Sequence, residues 1–255
     1  PVSGVYAGSY TAISACNVFL KNFYQVKESI FASDSDANKY EAEVRFLRAY
    51  CYFNLVMHYG DVPLYKELLD TIEDYKVKQS PAEDVYAFIN EDLDFAIENL
   101  EDVAYTSGHA VKASAKALKA RVALFRGDWK TVESETKGII DAGKNKLADT
   151  YESIFIKREG QANNPEIIFS INYMNPDYRH NAEMEFYYWN ALSPTQDLID
   201  VYDIEKDKRA KSWYVYVGGG EKRWTNPFGE EVETEQTTLT GYILLKHFYK
   251  KKKKK

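Results

Sequence analysis

The residues able to do chemistry are scattered along this chain. The four histidines, His58, His109, His180 and His247, lie far apart. No HExxH, CxxC, GxSxG or GxGxxG spacing gathers a metal-ligand set, a nucleophile or a phosphate cradle. Neither cofactor nor metal is therefore expected. Cys16 and Cys51 sit on apolar helical stretches without a CxxC partner, the setting of buried small side chains rather than of a disulfide framework. Ile13-Ser14-Ala15-Cys16 spells a lipobox, but Pro1 to Ala12 lacks the basic start and apolar core of an acylation signal, so Cys16 is expected to stay unacylated. Glu83, Asp84, Glu91, Asp92, Asp94 and Glu98 could supply the paired carboxylates of a glycoside hydrolase. They alternate with an apolar helical stripe and are expected to form a solvated outer face instead. Gly218 to Gly220 beside Lys222 lacks the spacing of a phosphate loop and reads as a hairpin turn.

The aromatic content carries more. Tyrosine (21), phenylalanine (13) and tryptophan (4) make up 15% of the chain. Tyr and Trp offer a flat apolar face and a polar edge, which suits both helix packing and stacking on a sugar ring. Those before residue 150 fall on helical stripes and are core by default. Trp189, Trp213 and Trp224, with Tyr188 and Asn190 beside the first, lie where no regular stripe claims them all. They are the candidate ligand-binding residues, the competing reading being that they cover the helical half as ordinary core.

The elements that must position these residues are legible as periodicity. Phe46 to Met57 is apolar nearly all round, broken only by Arg48 and Asn54, so a central helix is expected from about 39 to 59, capped by Asn38 with Glu41 and stopped by Gly60 and Pro63. Tyr6, Tyr10, Ile13, Asn17, Leu20 and Tyr24 form a helical stripe before it, with Asn17 a buried amide bonded to backbone. Residues 61–79 read as an extended connection. Ser80-Pro81-Ala82-Glu83 opens a further helix with Val85, Phe88, Ile89, Leu93, Ala96, Ile97 and Leu100 inward. Residues 108–127 form a small-residue helix, and Asp128 caps the next, which packs through Trp129, Val132, Ile139 and Ile140. Helices joined by Gly-Asp with small residues at the seam resemble a tetratricopeptide hairpin. From Glu166 the pattern changes: Ile167 to Ile171, Trp213 to Val217 and Tyr242 to Leu245 read as strands, and Ser193-Pro194-Thr195 opens a short helix. The expected fold is mainly α, with tetratricopeptide-like hairpins over 1–150 and an irregular, mixed α/β, ligand-facing part over 151–249.

Size and charge set outer bounds. At 255 residues the chain can bury a substantial core. Its net charge of −6 includes six consecutive lysines, Lys250 to Lys255, a low-complexity run to which no structural role is given; the acidic body argues against a nucleic-acid partner. No apolar run approaches the ~18 residues of a membrane-spanning helix.

Ala42 to Leu64, AEVRFLRAYCYFNLVMHYGDVPL, resembles the signature of the SusD/RagB-like nutrient-binding lipoproteins, departing at Val44, Cys51, Met57 and His58. GHAVKASAKALKARVALFRGDW (108–129), Asn164 to Phe169 and SPTQDLIDVYD (193–203) resemble further stretches of the same family, with His109 where the family usually has arginine and Asn145 where it has tyrosine. The resemblance implies a SusD-like fold and a non-catalytic protein. It also implies capture of glycans, or peptides as in the RagB branch, at the cell surface for a SusC-like TonB-dependent transporter. A lipid anchor on the outer membrane, carried ahead of Pro1, completes the expectation. A helical-repeat protein-interaction scaffold and, less favoured, a glycoside hydrolase are the alternatives.

Overall fold

The computed structural model describes residues 2–71, 76–106, 108–149, 164–172, 193–203 and 206–207, together with four short strands. Five helices make up the first compact unit, Pro1–Asn145 with Ile168–Ser170: α1 (Val2–Ile30), α2 (Asp34–Tyr59), α3 (Ala82–Asn99), α4 (Lys112–Arg126) and α5 (Trp129–Ala142). α2 is central, packing against α1 on one side and α3 on the other, with α4 and α5 following as a hairpin. Between Glu41 and Val56 only Leu47 is exposed, which bears out a helix covered nearly all round. Phe46, Ala49, Tyr52, Phe53, Leu55 and Val56 meet Ile13 of α1, Val85, Ile89 and Leu93 of α3, and Leu118 and Val122 of α4 in one core.

The helix ends correct the sequence reading in two places. α2 starts earlier than expected: Ser33 is its N-cap, its hydroxyl accepting from Asp36 N at 3.2 Å, while Asn38 reaches Asn99 instead. Ser33 followed three residues on by an acid is itself a capping pattern, and it lies far enough upstream to add a turn. For α3 the expected Ser80 box is absent. Ser80 exchanges backbone hydrogen bonds with Val62, and the first helical amide, Ala82 N, is capped by the Asp61 carboxylate at 2.8 Å. Gly60, at φ 70° with its N–H on Val56 O, lets the chain leave α2 so that Asp61 can make this cap. Asp128 caps α5 through Thr131 N, as its position before the helix requires.

α5 departs most from expectation. It has no buried residue: Val132 and Ile139 are half-buried, but Trp129 and Ile140 are 68% and 76% exposed. Among the described residues the helix packs chiefly against α4, which leaves Trp129 and Ile140 on the uncovered side of its apolar stripe.

His109 keeps an ionic role at the arginine position. Its Nδ1 lies 2.9 Å from Glu43 Oε2, and that hydrogen bond and charge hold the imidazole above its ordinary value of about 6.5. The pair therefore contributes below that value and is lost as pH rises through the raised folded value. NMR titration should find His109 above 6.5 and returned towards it in Glu43→Gln; an unshifted His109 in both proteins would contradict the pairing.

The second unit comprises Lys146–Ile167 and Ile171–Lys255. Within it α6 (Gln196–Val201) follows the Ser193-Pro194-Thr195 opening, as expected, with Thr195 as its cap, and β1 (Tyr214–Tyr216) pairs antiparallel with β4 (Tyr242–Leu244), both inside predicted strands. β2 (Arg223–Thr225) pairs antiparallel with β3 (Glu231–Glu233), which periodicity had not indicated. Ile167 to Ile171 is not a strand. The Ile167 N–H donates to Asn164 O at 3.2 Å in a local turn, Ser114 Oγ donates to Ile168 O at 2.8 Å and the Tyr105 hydroxyl to Ser170 O at 3.1 Å, while Phe169 meets the Phe46 ring edge-on at 4.9 Å.

Candidate functional site

The described polar chemistry converges on the connection after α2. Arg48, on α2, is buried and forks onto Asp92 of α3 through two 2.8 Å hydrogen bonds, Nε to Oδ2 and an amino nitrogen to Oδ1. Its remaining amino group donates to Asn17 Oδ1 of α1 at 2.7 Å and to the carbonyl of Lys66 at 2.8 Å. Asn17 in turn donates to Tyr65 O at 3.0 Å, bearing out its reading as a buried amide on backbone. The Tyr52 hydroxyl accepts from Tyr65 N at 2.7 Å and donates to Tyr65 O at 3.0 Å, and the Tyr10 hydroxyl donates to Pro63 O at 2.8 Å. Side chains of α1 and α2 thus satisfy the backbone of residues 63–66, which no ladder could satisfy.

Asp92 corrects the expectation of a wholly solvated acidic face. It is 0% exposed, and burial raises its carboxyl above the ordinary range against the opposing pull of Arg48 and Arg45. Arg45 lies 3.6 Å from Asp92 and 2.6 Å from Glu41, whose carboxylate also accepts from the Tyr24 hydroxyl at 2.7 Å. Periodicity could have found this network. Asp92 stands four residues from both Phe88 and Ala96 on the inward stripe of α3, and Glu41, Arg45, Arg48 and Tyr52 follow one another at helical spacing on α2. The cysteines are inert by environment: burial pushes the Cys16 thiol up to about 11 and that of Cys51 up to about 12.

Beside residues 64–70, among the described residues, a groove of about 560 Å³ lies against α3, and two others are lined in part by α1. One, of about 310 Å³, has Ile13 and Leu68 as apolar lining with Tyr6, Tyr10, Tyr65, Ser14, Asn17 and Glu67 around them. Its tyrosines touch in sequence, Tyr6 to Tyr10 at 4.8 Å and Tyr10 to Tyr65 at 5.7 Å between ring centroids. The other, of about 610 Å³, contains Lys21, Arg45, Arg48 and Lys66 among its lining residues, with Asp70 and Glu91. These are binding-type concavities. Of the sequence candidates, Tyr188, Trp189, Asn190 and Trp213 lie outside the described residues. Trp224 is on β2, paired in register with Val232.

The described residues thus form a scaffold of helical hairpins with an anchored connection and concave surfaces beside it. Residues 2–124 match the family described as "Starch-binding associating with outer membrane". A SusD-like protein of Formosa agariphila is 28% identical over 83% of this chain and 45% of its own length. A solved SusD-like protein of Bacteroides fragilis is 26% identical with a TM-score of 0.77, covering 96% of this chain and 56% of that one. A laminarin-binding SusD-like protein, 23% identical, shares the fold at a TM-score of 0.76 over 96% of this chain and 58% of its own. Over residues 2–124 the chain matches the SusD-like family, and over most of its length it is similar to SusD-like proteins. It spans about half the length of the relatives it matches.

Proposed function

We propose that the chain is part of a non-catalytic, lipid-anchored protein of the outer-membrane surface that binds nutrient glycans and hands them to a SusC-like TonB-dependent transporter. The observation that carries this is the SusD-like match, with a laminarin-binding protein among the proteins of the same fold. A scaffold of buried, mutually paired charges supports it: Arg48 and Asp92 are committed to each other and to backbone, which leaves them unsuited to acid–base work. Residues 1–150 supply the scaffold and 151–249 the ligand-facing part, in which a glycan stacks on at least one of Trp189, Trp213 and Trp224, flanked by Tyr188 and Asn190. Each stack contributes about 1 kcal/mol, so affinity is built from several weak contacts.

Titration of maltooligosaccharides and laminarin oligosaccharides against tryptophan fluorescence tests the reading. Trp189→Ala, Trp213→Ala and Trp224→Ala should each be folded, and at least one should bind more weakly. Full affinity in all three moves the site elsewhere; binding of peptides without glycans turns the reading to the RagB-like branch.

A further inference from the structure

The tyrosine groove of the helical unit has a composition that selects its ligand. Resting on the glycan-binding reading, we propose that it is a subsite for one neutral sugar ring, distinct from the tryptophans of the second unit, and that it disfavours acidic sugars. Three tyrosines, Tyr6, Tyr10 and Tyr65, line it, and among the described residues its one charged lining residue is Glu67. Among the described residues no lysine, arginine or histidine lines it, so a uronate or sulfate would meet a carboxylate with no compensating cation there. A neutral ring meets what it needs: apolar C–H faces against tyrosine, and hydroxyls against Glu67 and Ser14. Neither Glu67 nor Ser14 has a hydrogen-bond partner among the described residues, and both are exposed.

Three of the neighbouring cations are paired with carboxylates of their own, which leaves the balance at the groove to Glu67. Lys21 pairs with Asp70 at 2.5 Å, Arg45 with Glu41, and Arg48 with Asp92. Lys66 sits over the Phe88 ring at 5.4 Å and lines the larger groove, not the tyrosine one. The groove is also preorganised. Tyr65, its outer wall, hangs from a backbone held by Asn17 and Tyr52, and Pro63 from Tyr10, so little ordering entropy is spent on binding. A volume of about 310 Å³ lies at the small end of ligand sites, the size for one ring rather than a chain of them.

The test uses the whole chain with ring-labelled tyrosine, followed by NMR and by calorimetry. A maltooligosaccharide or laminarin oligosaccharide should shift the Tyr6 and Tyr65 ring resonances. Tyr6→Ala should weaken that response about fivefold and Glu67→Gln about threefold, both side chains being exposed enough for the folds to survive. An oligogalacturonate should leave the two rings unmoved. If calorimetry detects a neutral glycan while the rings stay still, or both variants keep full response, the subsite is refuted and the glycan reading stands. An oligogalacturonate that shifts the rings as strongly as the neutral probes refutes the selectivity. If no glycan gives heat or any shift, the glycan reading itself falls and takes the subsite with it.

Discussion

Replacing Arg48 with methionine is expected to destabilise the helical unit by about 3–5 kcal/mol, because it strands a buried carboxylate rather than merely deleting a contact. Asp92 would lose its fork, and Asn17 Oδ1 and Lys66 O would lose their common donor. Arg45, 3.6 Å from Asp92, softens the loss and sets the lower end of that range. The pair need not be stabilising in absolute terms, since an apolar replacement of both partners removes the desolvation cost along with the attraction. Arg48→Met with Asp92→Leu should therefore cost clearly less than the two single changes added together, in urea denaturation followed by helical circular dichroism. Additive losses would show that the two residues are not coupled as drawn. The single variant should also respond to pH. Burial already raises the Asp92 carboxyl, and without Arg48 that effect is less opposed, so the folded state holds its proton better than the unfolded one. Stability of Arg48→Met should be retained at low pH and fall as pH rises from about 3.9, the unfolded value, through the raised folded one.

How far the fold could be read depended on where each element finds its partners. The central helix was legible because Phe46 to Met57 states its own environment: a helix apolar all round has to be covered. Asp128 was legible as a cap, and Ser193-Pro194-Thr195 as a helix opening, because the bonds that Asp128 and Thr195 make run to Thr131 and Leu198, three residues away. Residues 61–66 were not, since their hydrogen bonds run to Tyr10, Asn17, Arg48 and Tyr52, as far as 53 residues off, and no local pattern encodes that. The acids of α3 were misread for a different reason. Grouping them by type hid that Asp92 alone falls on the inward stripe, where a buried charge demands a partner and Arg48 was the charged exception on α2. Trp129 and Ile140 failed oppositely, being placed on a packing stripe before it was known whether α5 has a second neighbour. As for the site, aromatic excess was readable as a binding signal, but which aromatics meet in space was not. Tyr6 and Tyr10 are neighbours on one face of α1, but Tyr65 joins them only because the 61–66 connection folds back over that helix.

Phe53→Ala is expected to cost about 3 kcal/mol, the low end of the range for a buried phenylalanine. Phe53 is 3% exposed in the core shared by α2, α3 and α4, so its removal forfeits the transfer energy of a whole ring and opens a cavity. The cavity term is where the estimate is decided. Phe125 meets Phe53 edge-on at 6.0 Å and is itself 54% exposed, so its ring can tilt inwards and fill part of the void. Tyr52, by contrast, is 0% exposed and tied at both the Tyr65 N–H and carbonyl, so Tyr52→Ala cannot relax and should cost more than Phe53→Ala. Leu47→Ala on the same helix, at 43% exposure, should change stability by no more than about 0.5 kcal/mol. Urea midpoints for the three variants check the ordering. A Phe53→Ala loss below about 1 kcal/mol would place that ring outside the core. A Phe53→Ala loss equal to that of Tyr52→Ala would mean that Phe125 does not move into the space.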